Sequence, residues 1–174
     1  MSDKTIQIPT SFYHPLWFSS RKITYEDTLG VRELAEIPFL LDILSIKRDP
    51  PLYEFDRAGY IHRFFERWKV EKEHIAKAFS QRSRRAAGPK MILGIGWLIT
   101  LVFWVNGKKV ERLTHLKDDL SLLPIQPVNM NERLSFITEN PDHYQSFIQL
   151  AQLFGELEKK WVMAVYKEQH MDKK

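Results

Sequence analysis

Apolar positions recur along this chain with the period of a helix. Between Tyr60 and about Arg85, the residues Ile61, Phe64, Phe65, Trp68, Ile75 and Phe79 fall on one arc at about 100° per residue, which predicts a long helix with one core-facing side. Lys72 falls inside the arc, so either the helix breaks near residues 69–73 or Lys72 snorkels past the core. The same period returns in Tyr144, Phe147, Ile148, Ala151, Phe154, Trp161 and Val165, predicting a final helix that runs to about Gln169.

Between these two lies the most apolar stretch, Met91 to Val105, reading MILGIGWLITLVFWV. As a helix it spans about 22 Å, short of a bilayer core of about 30 Å. Lys90 and Lys108 flank it. It is read as a buried central helix, with a membrane segment as the lesser alternative. A β-hairpin is a further alternative, because Asn106-Gly107 between apolar residues is a type I′ turn signal. The same pair can end a helix, Gly107 supplying the left-handed residue.

Local signals set the remaining boundaries. Residues 1–20 look irregular, but Phe12-Tyr13-His14-Pro15-Leu16-Trp17-Phe18 is too apolar to hang free and is expected to pack as an arm. Thr24 to Glu36 reads as a helix capped by Thr24, with Glu26 and Asp27 in its first turn. Pro38 suits a helix start, Phe39 to Ser45 a short helix, and Asp49-Pro50-Pro51 its end. Gly88-Pro89 reads as the stop of the long helix. Thr114 to Leu123 suggests a short helix closed by Pro124. Asn129 with Glu132 three residues on resembles a capping box, and Asn140-Pro141-Asp142 a further helix start. The fold class that follows is all-α: a compact multi-helix bundle around a buried apolar central helix at about 91–105, with 1–174 forming one domain.

Composition agrees and adds limits. Trp, Tyr and Phe total 22 of 174 residues, ample for a core, while 28% charged residues and only 7 Gly argue against disorder. The absence of cysteine excludes disulfides, thiolate metal sites and a cysteine nucleophile. No secretory signal is apparent in Met1 to Pro9, and a cytoplasmic location is expected.

Charge changes the picture more. From Arg57 to Lys90 there are ten Lys or Arg against three Glu, a local net of +7 within an overall +4. On one continuous helix, Arg63, Arg67, His74, Lys77, Arg84 and Arg85 would share an arc opposite the apolar one, with Arg82 in the densest part, Gln81 to Arg85. Such a stripe suits a phosphate backbone, where neutralised charge and released counterions drive binding, or an acidic protein. A solvated helix face, softened by Glu66, Glu71 and Glu73, is the plainer account.

A second candidate is the polar motif Asn129, Glu132 and Arg133. It reads either as recognition of a carboxylate or phosphate or as a cap with a structural ion pair. His62 and Glu66, four apart, lack further ligands at metal spacing, so no metal site is expected. Acids such as Glu33, Glu36, Asp42, Glu132 and Glu139 cannot be paired from sequence. Gly94-Ile95-Gly96 lacks the third glycine of a dinucleotide fingerprint, and no cofactor is expected.

Several C-terminal strings, taken together, are specific. They are Phe103-Trp104-Val105-Asn106-Gly107, Pro127-Val128-Asn129 with Glu132-Arg133-Leu134 and Phe136-Ile137, and Pro141-Asp142-His143-Tyr144 with Ser146-Phe147-Ile148-Gln149-Leu150 and Leu153-Phe154. Over roughly residues 90–160 the chain resembles the YpoC-like family of Bacillus and its relatives. Phe12-Tyr13-His14-Pro15 and Pro38 to Leu44 extend the likeness more loosely. The resemblance implies a small, helical, cytoplasmic protein and lends no functional residues. Genes of that family tend to lie near genome-maintenance and cell-wall genes, which favours a DNA-linked or adaptor role.

The expectation is therefore a non-catalytic binding or adaptor domain whose basic helical face meets an anionic partner, nucleic acid or acidic protein. Two alternatives stand beside it: an enzyme with a site between helices near Asn129, Glu132 and Arg133, and membrane association through Met91 to Val105.

Overall fold

The computed structural model describes residues 2–26 and 35–173. Six α-helices carry the described fold: α1 (Leu40–Leu44), α2 (Arg57–Ser80), α3 (Arg84–Val105), α4 (Leu116–Ser121), α5 (Met130–Glu139) and α6 (Tyr144–Met171). A small antiparallel sheet precedes them, β1 (Asp3–Gln7) on β2 (Lys22–Glu26), with Thr5 opposite Thr24. The helical bundle around a buried apolar helix is as the sequence predicts.

Helix α3 is the axis of the core. Met91, Ile95, Leu98, Ile99, Leu101 and Val102 have essentially no exposed surface. The helix is long and apolar enough to cross a membrane by length and composition, yet 72% of its most apolar window is buried inside the domain. Its polar groups are satisfied locally. Thr100 donates its hydroxyl to the Gly96 carbonyl at 2.9 Å, and Trp97 donates its indole N–H to the Ala35 carbonyl at 2.8 Å.

Antiparallel to α3 runs α2, which places Phe64 edge-on against Trp97 and Trp104. Helix α6 crosses both. The Phe154 ring stacks on Trp68 at 4.1 Å, and Trp161 stacks on Phe65 at 5.7 Å. Lys72 does snorkel: α2 is unbroken through residues 69–73, and Lys72 is exposed. The short helix α4 leans on α5, which packs on α6 and α3.

Two helix ends use the same motif with different residues. Helix α3 closes with the Gly107 N–H on the Trp104 carbonyl (2.9 Å) and the Lys108 N–H on the Phe103 carbonyl (3.0 Å), Gly107 at φ 68°. This is the helix-end reading of Asn106-Gly107, and the hairpin alternative falls. Helix α2 closes the same way, with Arg82 N–H on the Phe79 carbonyl and Ser83 N–H on the Ala78 carbonyl, each at 2.9 Å. There the left-handed position, φ 55°, is held by Arg82.

Several boundaries differ from the sequence reading. The arm over residues 1–20 does pack, with Phe12 fully buried and the Trp17 indole donating to the Ile92 carbonyl at 2.9 Å, but β1 lies within it. Thr24 caps no helix; Thr24 to Glu26 belong to β2, where β-branched Ile23 and Thr24 alternate between buried and exposed. The rest of that expected helix, residues 27–34, lies outside the described residues. Helix α2 ends at Ser80 rather than near Arg85. Gly88-Pro89 stops nothing. Pro89 lies early in α3, behind the Ser83 cap whose hydroxyl accepts the Ala86 N–H at 3.2 Å. That early in a helix the missing N–H costs one bond, to the Arg85 carbonyl, and the burial of the following turns outweighs it. The last helix starts at Tyr144, later than Asn140-Pro141 suggests.

Close packing fixes the roles of two glycines. A Cβ on Gly94 would stand 2.9 Å from the Trp68 ring and 3.2 Å from Leu150, whereas one on Gly155 would meet nothing within 4 Å. In urea unfolding, Gly94→Ala is expected to destabilise by about 1–3 kcal/mol through overpacking, despite alanine's better helix propensity. Gly155→Ala is expected to stabilise by up to about 1 kcal/mol. Equal effects of the two substitutions would contradict this α2–α3–α6 packing.

Candidate functional site

The break at residues 81–83 divides the predicted basic face. Along α2, the chain's own acids engage its upstream members. Arg63 pairs with Asp56 at 2.8 Å and lies over the Tyr60 ring. Arg67 and His74 both reach Glu71, at 3.2 and 3.4 Å. Glu71 is buried, and Lys90 of α3 completes its shell at 3.0 Å. Burial works against that carboxylate. The hydrogen bonds of Lys90 and His74 and the charge of Arg67 outweigh it and hold the pKa below the ordinary glutamate value. Glu71 is thus a structural clamp between α2 and α3, a role the sequence reading missed because it counted Glu71 only as a charge softening the stripe.

Downstream the situation reverses. Lys77, Arg82, Arg84 and Arg85 are exposed, and none forms an ion pair with a described residue. They cluster at the α2–α3 corner, Lys77 on the last turn of α2 and Arg84 and Arg85 on the first turn of α3. The seven predicted basic residues therefore do not form one face. Three are internally paired or hydrogen-bonded, and four gather at a turn.

The polar motif is also divided. Asn129 stands at φ 54° before α5 and caps nothing with its side chain, so the predicted capping box does not form. Asparagine is among the few non-glycine residues that tolerate this conformation. Glu132 is exposed. Arg133 bridges α5 to α6. It donates to both Glu156 carboxylate oxygens at 2.9 and 3.0 Å, to the Gln149 side chain at 2.9 Å and to the Val128 carbonyl at 3.1 Å. Its guanidinium is occupied within the fold. His62 is exposed, and Glu66 is held by Lys69 at 2.7 Å.

Asp42 is the most perturbed group. It is fully buried on α1, and its Oδ1 accepts the Trp104 indole N–H at 3.1 Å and the Val110 N–H at 2.8 Å. Oδ2 has no hydrogen-bond partner among the described residues, and a cavity of about 10 Å³, the size of one water, lies beside the carboxyl. Burial raises its pKa to about 7, against the pull of the two hydrogen bonds and of nearby Lys109. The stacked Tyr53–Trp104 pair, 4.7 Å apart, stands close by, and burial together with the Asp42 carboxylate pushes the Tyr53 hydroxyl up as well. Strongly shifted acids often mark catalytic sites. Here the enclosure is too small to admit a substrate, and the group instead ties α1 to the segment after α3.

The sequence profile of the YpoC-like protein family matches residues 58–169, and the chain belongs to that family. The Bacillus subtilis (strain 168) protein described as "Uncharacterized protein YpoC" is 32% identical over 104 residues, covering 60% of this chain and 63% of that protein. The chain thus matches less than two thirds of that relative's length. No solved structure matches the chain. The basic corner and Arg133 lie inside the family match, and Asp42 lies outside it.

Two expectations follow from these geometries. Between about pH 4 and pH 7 the folded chain holds a proton on Asp42 that the unfolded chain has released, so the stability from this group is full below pH 4. It falls by up to about 1.4 kcal/mol per pH unit across that window and levels off above it. Asp42→Asn should flatten this slope and make the variant the more stable protein at pH 8, as read by urea midpoints; an unchanged slope would refute the assignment. Arg133→Met should cost about 1–3 kcal/mol by stranding Glu156 and Gln149, and polyanion binding by the folded variant should stay at the parent level.

Proposed function

We propose that the chain is a non-catalytic, cytoplasmic binding or adaptor domain that engages an anionic partner through the α2–α3 corner. The observation that carries this reading is the conformation of Arg82. It occupies the left-handed position of a helix-end motif that glycine fills at the end of α3. For an arginine this costs about 1 kcal/mol, and its side chain gains no ion pair within the described residues in return. The backbone closes α2 there, as any glycine would allow, and a strained arginine whose side chain has no ion pair among the described residues is a reason to look for a functional role.

The surroundings agree. Lys77, Arg84 and Arg85 add charge to the same exposed turn. The start of α3 contributes the positive end of a 22-residue helix, which the Ser83 hydroxyl caps on its Ala86 N–H. Exposed cations grouped around a helix–helix turn suit a polyanion better than a small metabolite, which needs a concave pocket. Nucleic acid is the first partner to test and acidic protein the second, a preference that accords with the genome-maintenance association of the family.

The enzyme alternative has less support. Asn129 contributes a backbone turn and Arg133 a structural bridge, and neither aims a free group at a cavity. The membrane alternative is weakened by the burial of α3.

Fluorescence anisotropy against labelled single- and double-stranded DNA and RNA, and against polyglutamate, at low salt tests the reading. Four phosphate contacts give a log–log salt slope no steeper than about −4. The double variant Arg84→Gln/Arg85→Gln should weaken binding and reduce that slope by about 2. The sharper test is Arg82→Gly, expected to raise stability by about 1 kcal/mol while binding weakens. Failure of every polyanion to bind at low salt, or binding indifferent to all three arginines, would end the proposal.

A further inference from the structure

We infer that the C-terminal half of α6 is a docking surface for an acidic amphipathic helix of another protein. The inference does not rest on the corner described above. Leu157 is the last fully buried residue of α6, and beyond it the helix carries the run Trp161-Val162-Met163-Ala164-Val165-Tyr166. Of these, Trp161 reaches the core through Phe65. Val162, Met163 and Tyr166 are 55%, 56% and 56% exposed. At helical spacing the three share one outward stripe. Burying such residues is the ordinary fate of a run this apolar, and isolated exposed apolar residues, unlike a contiguous stripe, need no explanation.

The stripe borders a groove of about 430 Å³ between α6 and the segment after α4. Pro124, Ile125, Met163 and Ala164 supply its apolar lining, and the lysines Lys159, Lys160 and Lys167 border it. Lys160 is braced by a 2.7 Å hydrogen bond to the Gln126 carbonyl, which holds its charge at the edge and leaves two of its donors unused. The acids of the same stretch do not neutralise the rim. Glu158 is paired with Lys69 at 3.0 Å, and Glu168 projects from the side of the helix that carries Trp161.

An apolar floor with a cationic rim specifies its occupant. A helix with apolar anchors at i, i+4 and i+7 fills such a trough, and Asp or Glu on its flanks meet the lysines. A second copy of this chain would bring lysine against lysine across a symmetric contact. From Lys159 to Lys167 the rim runs about 12 Å, enough for two turns of a docked helix.

The test uses the full chain and a panel of fluorescein-labelled helical peptides with Leu, Met or Phe anchors. Each is made with glutamate flanks and again with lysine flanks. A glutamate-flanked peptide is expected to bind about tenfold or more tightly than its lysine-flanked counterpart. Met163→Asp/Tyr166→Asp, both at exposed positions and checked by circular dichroism, should abolish that binding. Lys159→Glu/Lys167→Glu should invert the preference toward the lysine-flanked peptides. Arg84→Gln/Arg85→Gln should leave peptide binding unchanged, so that failure here and failure at the basic corner are distinguishable. No peptide binding, or equal binding of both flank types, would overturn the inference. So would a dimer seen by light scattering that Met163→Asp/Tyr166→Asp dissolves, or sedimentation with phosphatidylserine vesicles that the same variant abolishes.

Discussion

A helix without a polar side must be wrapped, and that constraint organises the molecule. Helix α3 is buried along nearly its whole length. Each neighbour therefore has to spend its own apolar face on it and turn its polar face outward. Helix α2 contributes Phe64 and Trp68, α6 contributes Leu150, α1 closes on Trp104 through Asp42, and the N-terminal arm closes on the Ile92 carbonyl through Trp17. Glycines sit where aromatic rings come nearest the α3 backbone: Gly94 under Trp68 and Gly96 under Trp17. The indole N–H groups of Trp17, Trp97 and Trp104 each find an oxygen, so large side chains enter the core without stranding a donor.

Because the faces turned to the core are committed, function has to be sought on what remains, and there the ion pairs decide. Glu71 gathers Arg67, His74 and Lys90 around one buried carboxylate. Those side chains are held by the fold. Beyond the reach of Glu71, the same run of positive charge ends in Lys77, Arg82, Arg84 and Arg85 without ion-pair partners among the described residues. Net charge over Arg57 to Lys90 gives the sign of this surface, but the placement of the acids, Glu71 and Asp56 first, decides which of its residues are available.

The elements legible in the sequence are those whose burial is periodic or complete. The apolar arc of α2, the run of α3 with its Asn106-Gly107 end, and the stripe of α6 are set by side chains that must leave water, and each forms as predicted. What could not be read depends on backbone conformation that residue type specifies weakly. Arg82 in a left-handed conformation carries no sequence signal, so α2 and the first turn of α3 read as one helix to about Arg85, and a corner reads as a stripe. Thr24-Tyr25-Glu26 has the cap residue and an acid of a first helical turn, and its pairing with Asp3 to Thr5 overrides that local preference. The sequence marks Asn129 as a cap, whereas in the fold its value is tolerance of φ 54°, with the side chain capping nothing. Arg133 could not be assigned, because its partners Gln149 and Glu156 come from a different helix.

The two outward surfaces also have a fixed relation. Near its start α2 meets Trp161 through Phe65, and near its end it meets Tyr144 and Phe147 through Phe79. Helices α2 and α6 are therefore antiparallel, and the cationic corner and the lysine-rimmed groove lie toward opposite ends of the pair. From Phe65 to Ser80 the helical rise alone is about 22 Å. Two partners could occupy these surfaces together without contact, held apart by helices whose packing on α3 leaves them little freedom to flex. That geometry suits a connector better than a switch. Coupling between the surfaces would require a bistable element between them, and the segment joining them is a continuous α2 packed by stacked aromatics throughout. For the two proposed surfaces such a rod implies independent occupancy, each with its own affinity, with the chain contributing proximity.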